Sequence, residues 1–292
     1  MTRYQGTDSR LGNVSGHQAG GVGNGSAFYM ALVGDVEEFE VRAQGDTFDV
    51  PSLGNSYPAA IETAKVRPEL EVSYHPQNTS FLHTYLIPNS AGNLSSHHMA
   101  YYANSADYGI LFGALPQRVE VRFAKNSPVT VRFTDIGTNW STGFQTSTGN
   151  FATAVSSTEP MMSEKLTSVR ILDGATVIRD MTSLWRRGDF SIDYGTTPQY
   201  TGTTVTPSDV LQGVRRVRGS LEVSVNESAK LLPYVTNASY LNVEVGFQNA
   251  PMSSCYTFYS SVVRTNSVTV PGTDVQRQRI EFECRFVTRS SL

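Results

Sequence analysis

The chain has 292 residues and a formal net charge of −3, and charged residues make up 17% of it. A slightly acidic chain lacks the basic balance of proteins that grip nucleic acid by charge. It contains no run of about 18 apolar residues, so we expect no membrane-spanning helix. Its N-terminal residues also lack the apolar segment of a secretory signal.

Residues 1–26 are polar and rich in glycine, with GHQAGGVGNG beginning at Gly16. No strand-then-helix pattern surrounds these glycines, so a nucleotide-binding loop is not predicted. A flexible or partner-ordered arm fits this composition better.

Beyond the arm, apolar and polar residues alternate with a period of two. The pattern runs through Val66–Ser73, Val119–Phe123 and Ile280–Phe286. Such alternation predicts strands with one face on a core and the other toward water, and hence an all-β fold.

Two short helices are predicted. The first is TSFLHTYL after Asn78 and the second is ESAKLLPYV after Asn226, and each asparagine is a candidate N-cap. Pro233 should limit how far the second helix can run.

The sequence contains an internal repeat. VRPELEVS at Val66–Ser73 returns as VRGSLEVS at Val217–Ser224, 151 residues later, and Phe39 precedes the first copy as Phe190 precedes the second. A second echo links VEVRF at Val119 with VEVGF at Val243, which gives the first copy 27 extra residues. We therefore predict an arm over 1–26, a first β domain over 27–180 with an extra loop at about 87–110, and a second β domain over 181–292.

Residues with potential chemistry are few and scattered. His97 and His98 are adjacent, so on a strand they point to opposite faces and cannot share a metal ion without a turn. Glu69 and Glu71 share a strand face, but solvated strands commonly show such pairs. We expect no catalytic residue, metal or cofactor. The two cysteines, Cys255 and Cys284, should be buried free thiols in a reducing compartment.

The second copy carries a recognisable order of motifs. GVRRVRGSLEVSVNESAKLLPYV is followed by LNVEVGFQNAPMSSCYTFYSSVVRTNSVTVPG and then QRQRIEFECRFV. This order resembles the tail tube proteins of tailed phages and related viruses. The resemblance implies two tandem sandwich-like or half-barrel units, each with one short helix, that join a ring with a continuous inner β-barrel. Two units per chain imply three chains per ring with pseudo-sixfold symmetry.

The resemblance also implies partners and a location. Rings would stack into a tube and contact a tape-measure protein and tail terminator or hub proteins. Viral DNA would cross the lumen without specific binding, in a virion tail assembled in the host cytoplasm, with no membrane involved.

An acidic or neutral lumen would let DNA slide, because Lys and Arg contacts to phosphate would hold it. The predicted wet or lumen-facing residues are Glu69, Glu71, Glu120, Glu222 and Glu244. We assign the paired loops 43–60 and 194–210 to contacts between rings, through Leu53, Asn55, Tyr57, Tyr200, Thr204 and Val205.

Three alternatives remain open. A tail hub or adaptor ring would use the same duplicated unit. A double jelly-roll capsid protein would need about eight strands per copy. A carbohydrate-binding or hydrolytic sandwich would need an aromatic platform, for which Tyr101 and Tyr102 are the candidates.

Overall fold

The structure is a computed structural model. It describes residues 2–4, 10–15, 29–32, 35–50, 60–76, 94, 96–104, 107–141, 166–202, 204–224, 228–237, 239–249, 252–269 and 276–290. The predicted helix after Asn78 and the capping role of Asn226 lie outside these residues.

The first part of the chain forms nine strands: β1 (Thr2–Tyr4), β2 (Arg10–Ser15), β3 (Tyr29–Leu32), β4 (Asp35–Val50), β5 (Ala60–His75), β6 (His97–Asn104), β7 (Asp107–Ala124), β8 (Thr130–Ile136) and β9 (Asn139–Ser141). We call β2–β9 the first half.

The rest of the chain forms ten strands and a helix: β10 (Leu166–Asp173), β11 (Thr176–Asp180), β12 (Trp185–Asp193), β13 (Thr197–Gln199), β14 (Asp209–Leu211), β15 (Arg216–Val223), α1 (Ser228–Thr236), β16 (Tyr240–Asn249), β17 (Met252–Thr269), β18 (Arg277–Cys284) and β19 (Phe286–Ser290). We call β10–β19 the second half. All described strand pairs are antiparallel, so the predicted all-β class is confirmed.

The two halves repeat one pairing scheme. In the first half β3 pairs with β2, β2 with β6, and β6 with β7, while β4 pairs with β5, β5 with β8, and β8 with β7. In the second half β11, β10, β16 and β17 form the same first series, and β12, β15, β18 and β17 the same second series. In addition, β9 pairs with β7 in the first half, and β19 pairs with β17 in the second. The duplication is therefore one of topology as well as sequence.

The halves are joined through strand pairing. The C-terminal part of β7 pairs with β12 over seven residue pairs, from Arg118 opposite Asp193 to Ala124 opposite Arg187. We call this pairing the internal seam. Because of the internal seam, one sheet continues through both halves, in the strand order β1, β4, β5, β8, β7, β12, β15, β18 and β17.

Strand pairing corrects three details of the predicted repeat. The domain boundary at 180 is wrong, because β10 and β11 pair within the second half, which places the boundary before Leu166. The second echo does not match equivalent strands, because Val119 lies on β7 and Val243 on β16, which is the counterpart of β6. The predicted 27 extra residues of the first copy depend on that echo, so this number is also wrong.

The upstream register also differs from the prediction. Phe39 lies opposite Val72, whereas Phe190 lies opposite Gly219, the repeat counterpart of Pro68. By pairing, Phe190 corresponds to Ala43, which is four residues beyond Phe39. The loop between the paired strands therefore differs by four residues between the halves.

One hydrophobic core extends through both halves. Phe123 of β7 lies 5.9 Å from Phe247 and 6.5 Å from Phe190, between ring centroids, and Phe190 lies 5.1 Å from Phe258. These rings come from four strands and are all buried. The two halves therefore share a core that crosses the internal seam.

The helix α1 packs against β17 and buries Leu231, with Tyr234 and Val235 against the core. Pro233 lies inside the helix, which continues to Thr236. Pro233 therefore does not end the helix, because the residues after it bury apolar surface that offsets the lost backbone hydrogen bond.

Candidate functional site

A charged face lies on the side of the long sheet opposite the core. On β5, β7 and β15 the apolar residues point inward, as Leu70, Val121 and Leu221 do, and the residues between them carry charge. The charged face is formed by Glu40, Arg42, Arg67, Glu69, Glu71, Arg132, Glu120, Arg122, Arg187, Glu222, Arg218, Arg277, Arg279, Glu281, Glu283 and Arg264.

In the first half the carboxylates of this face are held by arginines. Arg42 Nη2 lies 2.5 Å from Glu40 Oε2 and 2.9 Å from Glu71 Oε2, and Arg132 also contacts Glu71. Hydrogen bonding to Glu40 raises the pKa of Arg42, with the negative charge of Glu71 adding to the effect. Arg122 Nη2 lies 2.8 Å from Glu120. These strands therefore carry a ladder of opposite charges across neighbouring positions.

The second half continues the ladder. Arg187 Nη2 lies 2.6 Å from Glu222 Oε2, and Arg277 lies 3.8 Å from the other oxygen of Glu222. Arg264 and Arg218 both contact Glu283, the latter at 3.8 Å. The charged face is thus continuous across the internal seam.

Two shallow grooves on this face differ in charge. The groove of the first half, about 410 Å³, is lined by Glu37, Glu38, Glu40, Glu71, Glu120, Arg122 and Arg132 together with Ser73 and Thr130. Its lining therefore has five carboxylates and two guanidinium groups. The groove over the internal seam, about 430 Å³, is balanced, with Glu120, Asp189 and Glu222 beside Arg122, Arg187 and Arg279. The groove of the first half is therefore acidic and the groove over the internal seam is neutral, whereas the charged face as a whole holds seven glutamates and nine arginines.

Four of the five predicted glutamates lie on the charged face, but two of these are not wet. Glu69 is 3% exposed and Glu222 is 9% exposed, because Arg67 lies over the first and Arg187 and Arg277 over the second. Glu71 and Glu120 remain partly exposed. Glu244 lies apart from the other four on β16, with its carboxylate 3.5 Å from Arg170.

The residues predicted for contacts between rings pack within the chain where they are described. Val205 O accepts a hydrogen bond from Val66 N at 2.8 Å, and the Tyr200 hydroxyl donates to Val66 O at 3.3 Å. Lys65 Nζ lies 4.6 Å from the centre of the Tyr200 ring. Thr204 bonds locally to Thr201 O. The loop of the β13–β14 hairpin therefore packs against β5 of the first half.

The counterpart loop residues Leu53, Asn55 and Tyr57 lie outside the described residues. The remaining part of the loop assignment, contact between stacked rings, stays a prediction. Val205 is still 44% exposed, so packing against β5 leaves one side of the hairpin uncovered.

The two adjacent histidines of β6 have separate partners, as alternation on a strand predicts. His97 Nε2 lies 3.0 Å from Asp135 Oδ2, and the amide of Gly113 donates to His98 Nδ1 at 3.1 Å. Asp135 is fully buried. Its charge adds to the effect of burial, which raises the pKa of both Tyr74 and Tyr194.

Sequence reasoning missed this buried polar cluster. Asp135 stands in VRFTDIG, where a strand reading places it on the inward face with Val131 and Phe133. A carboxylate at a core position is the signal that could have found it.

Both cysteines are buried free thiols, as predicted. Burial raises the pKa of Cys255 to about 11 and that of Cys284 to about 12. Thiols with such pKa values are protonated near neutral pH and are therefore poor nucleophiles and poor metal ligands.

The described residues contain neither a metal-binding cluster nor a helix that could span a membrane. No cluster of three or more His, Cys, Asp or Glu side chains with metal-binding geometry occurs there. No helix among those residues is long and apolar enough to cross a bilayer.

Two strand edges of the long sheet are left open within the described residues. β4 pairs with β5 along its length, and its other edge pairs with β1 only at Phe39–Val41. β17 pairs with β18 over its C-terminal part, and residues 267–269 have no strand on the other side. Open edges of this kind are sites for pairing with another chain.

Comparison with known proteins leaves the family open. No family model and no curated protein sequence matches this chain. Among solved structures, Hcp1 from Flavobacterium johnsoniae aligns with a TM-score of 0.27 and 13% sequence identity, covering 44% of this chain and 98% of that chain. A TM-score this low is too small to transfer a fold or a function.

Proposed function

We propose that this protein is a structural, ring-forming subunit of a tube, and that it serves as the tail tube of a virus through which the genome is delivered. The observation that carries the proposal is the duplicated strand order, with one seam inside the chain and, among the described residues, one open edge at each end of the long sheet. A repeated unit whose two edges match is suited to close a ring, since closure removes the open edges.

The charged face supports a role in letting DNA pass. In the proposed ring it lines the lumen, with Glu71 and Glu120 partly exposed and the arginines paired with carboxylates. The two grooves have acidic and neutral linings, and the arginines of the face contact carboxylates, so such a wall would release few counterions from DNA and have little affinity for the phosphate backbone. The motif resemblance adds the expected partners, which are other rings, a tape-measure protein and terminator or hub proteins.

Electron microscopy of the purified full-length chain tests this function. We expect rings of three chains with six similar lobes, and stacked rings that lengthen into hollow tubes as the protein concentration rises, because identical ring faces can stack without limit. Single rings that never stack would support the hub or adaptor alternative instead. A chain that stays monomeric at every concentration would contradict both.

A DNA-binding measurement tests the lumen assignment separately. Assembled wild-type protein should not retain a labelled duplex at low salt. The E71Q/E120Q variant removes two partly exposed negative charges and should retain the duplex with a salt-dependent affinity. E244Q, which alters the carboxylate away from the charged face, is the matched control and should behave like the wild type.

A further inference from the structure

The internal seam provides a template for contact between chains. We propose that residues 267–269 at the outer edge of β17 pair antiparallel with residues 44–46 of β4 in a second copy of this chain. Ser267 then lies opposite Asp46. This interface rests on the ring-forming function proposed above, and it assigns the strands and the register that close the ring.

The position on β4 follows from the repeat in the strand beside it. Leu70 of β5 and Leu221 of β15 occupy the same place in the sequence repeat. Val41 lies opposite Leu70, and Gly188 lies opposite Leu221. Because β4 and β12 both run antiparallel to these strands, Asp46 corresponds to Asp193, five residues beyond.

The position on β17 follows in the same way from β8 and β18. Phe133 lies opposite both Val72 and Val119. Gln278 lies opposite Val223, which is the counterpart of Val72, and opposite Val268. Val268 therefore corresponds to Val119.

The adjacent residues then match as well, with Ser267 in the place of Arg118. In the internal seam Arg118 lies opposite Asp193. The repeated seam places Ser267 opposite Asp46, so an aspartate occupies this β4 or β12 position in both halves.

The burial of β4 supports a missing neighbour. Along its inward face Phe39 is buried, Val41 is half-buried, and Ala43 and Gly45 are exposed. The counterparts of Ala43 and Gly45 are Phe190 and Ile192, which the internal seam covers and which are buried. The inward face of β4 is therefore incomplete at Gly45, which lies within the proposed pairing, and at Ala43 directly beside it.

The strand β1 leaves room for this pairing. It pairs with β4 at Phe39–Val41, and the proposed partner pairs at residues 44–46 of the same edge. Internal and external seams then alternate around the ring. Three chains supply three of each, and this is the ring size proposed above.

Cysteine cross-linking tests the register. In assembled D46C/S267C protein, mild oxidation should give covalent dimers and trimers, with no larger species from a single ring. The wild type is the background control, because Cys255 and Cys284 are buried thiols of raised pKa. The pair E38C/S267C is the register control, since residue 38 lies eight residues from Asp46, about 26 Å along the strand, and it should give no cross-link.

A charge at the uncovered inward position provides an independent test. Ala43→Asp places a carboxylate on the exposed inward face of β4, directly beside the residues that the proposed ring pairs. We expect complete loss of rings with an unchanged unfolding midpoint and circular dichroism spectrum. Ala43→Val is the matched control and should keep the rings, because it adds only apolar volume.

The outcomes separate this interface from the proposed function. Rings that form without the D46C/S267C cross-link, that cross-link through residue 38, or that survive Ala43→Asp would overturn the interface and leave the ring function standing. A wild-type chain that forms no ring at any concentration would overturn the function, and the interface with it.

Discussion

The two halves share a pairing scheme but differ in what covers their first long strand. β12 of the second half is paired along both edges, whereas β4 of the first half has β5 on one edge and, within the part of the chain that the structure describes, β1 on part of the other. Phe190 is consequently buried, and its counterpart Ala43 is exposed. Equivalent places in a duplicated chain can therefore be core in one half and surface in the other, depending on which strand lies beside them.

The halves also differ in buried chemistry at equivalent positions. Asp135 lies opposite Leu70, and Ile280 lies opposite the counterpart Leu221. The first half holds a buried carboxylate with His97 where the second half holds a plain apolar side chain. Backbone pairing has been kept while side-chain chemistry has diverged.

The largest expected loss of stability comes from replacing Phe190, an aromatic residue of β12 at the internal seam. Phe190→Ala should destabilise the chain by about 4 kcal/mol, because it leaves a cavity among Phe123, Tyr256 and Phe258. Phe39→Ala, whose ring contacts Tyr101 at 5.8 Å, should cost about 3 kcal/mol.

The chain's two tryptophans give each half its own reporter for these denaturation measurements. Trp140 is in the first half and Trp185 in the second, so W185F and W140F backgrounds follow the halves separately. Phe190→Ala should shift both transitions together, since the core is shared. Two separate transitions would show that the halves unfold independently.

The contact between His97 and the buried Asp135 has the next largest effect. Asp135→Ala removes the carboxylate that contacts His97, whose side chain is 9% exposed, and should cost about 3 kcal/mol. The H97L/D135I double variant, which copies the isoleucine of the second half, should recover most of that loss, as measured by urea denaturation. A double variant no more stable than the single one would mean that the pair determines local packing as well as charge.

The glycine opposite Phe123 should be sensitive to a single methyl group. A Cβ at Gly188 would lie 2.4 Å from the Phe123 ring, so the ring must shift. Gly188→Ala should therefore cost about 2 kcal/mol in urea denaturation. Recovery of this loss in a G188A/F123L variant would show that the clash acts through the ring.

Both thiols lie in the second half and give the stability of the chain a dependence on pH. Their pKa values of about 11 and about 12 in the folded chain exceed the ordinary value of 9.0, so the folded state keeps protons that the unfolded chain loses. The resulting stability is complete below pH 9 and falls as the pH rises toward 12. Denaturation at pH 8 and pH 10 should show a smaller fall for C255A/C284A than for the wild type.

The smallest effect belongs to the exposed charge ladder. Arg122→Ala removes a guanidinium that is 65% exposed and should change stability by less than about 1 kcal/mol in urea denaturation. A larger loss would show that the charged face contributes to folding in the single chain.

Much of the fold could be predicted from alternation and from the repeat. The period of two correctly placed Val119, Val121 and Phe123 on the core, because a strand has no other way to separate its faces. It failed at Phe286, which is 41% exposed and stacks on Tyr259 at 5.0 Å. The strand is interrupted at Arg285, and the alternation restarts with Val287 inward.

The candidate site was predicted only in part. The sequence indicated which face of β5 and β15 carries the glutamates, but not that Glu69 and Glu222 are covered by arginines. The long arginine side chains that cover Glu222 come from β12 and β18, so the cover depends on strand order, which local patterns do not contain. The backbone hydrogen bond between Val66 and Val205 was missed for the same reason, since it joins residues far apart in sequence.

Fusing two units into one polypeptide changes how assembly depends on dilution. The β7–β12 contact is intramolecular, so its partners meet at an effective concentration fixed by the connecting chain. It forms during folding, however few molecules are present. In the proposed ring, half of the contacts therefore never compete with dissociation, and closure needs an encounter of three bodies rather than six.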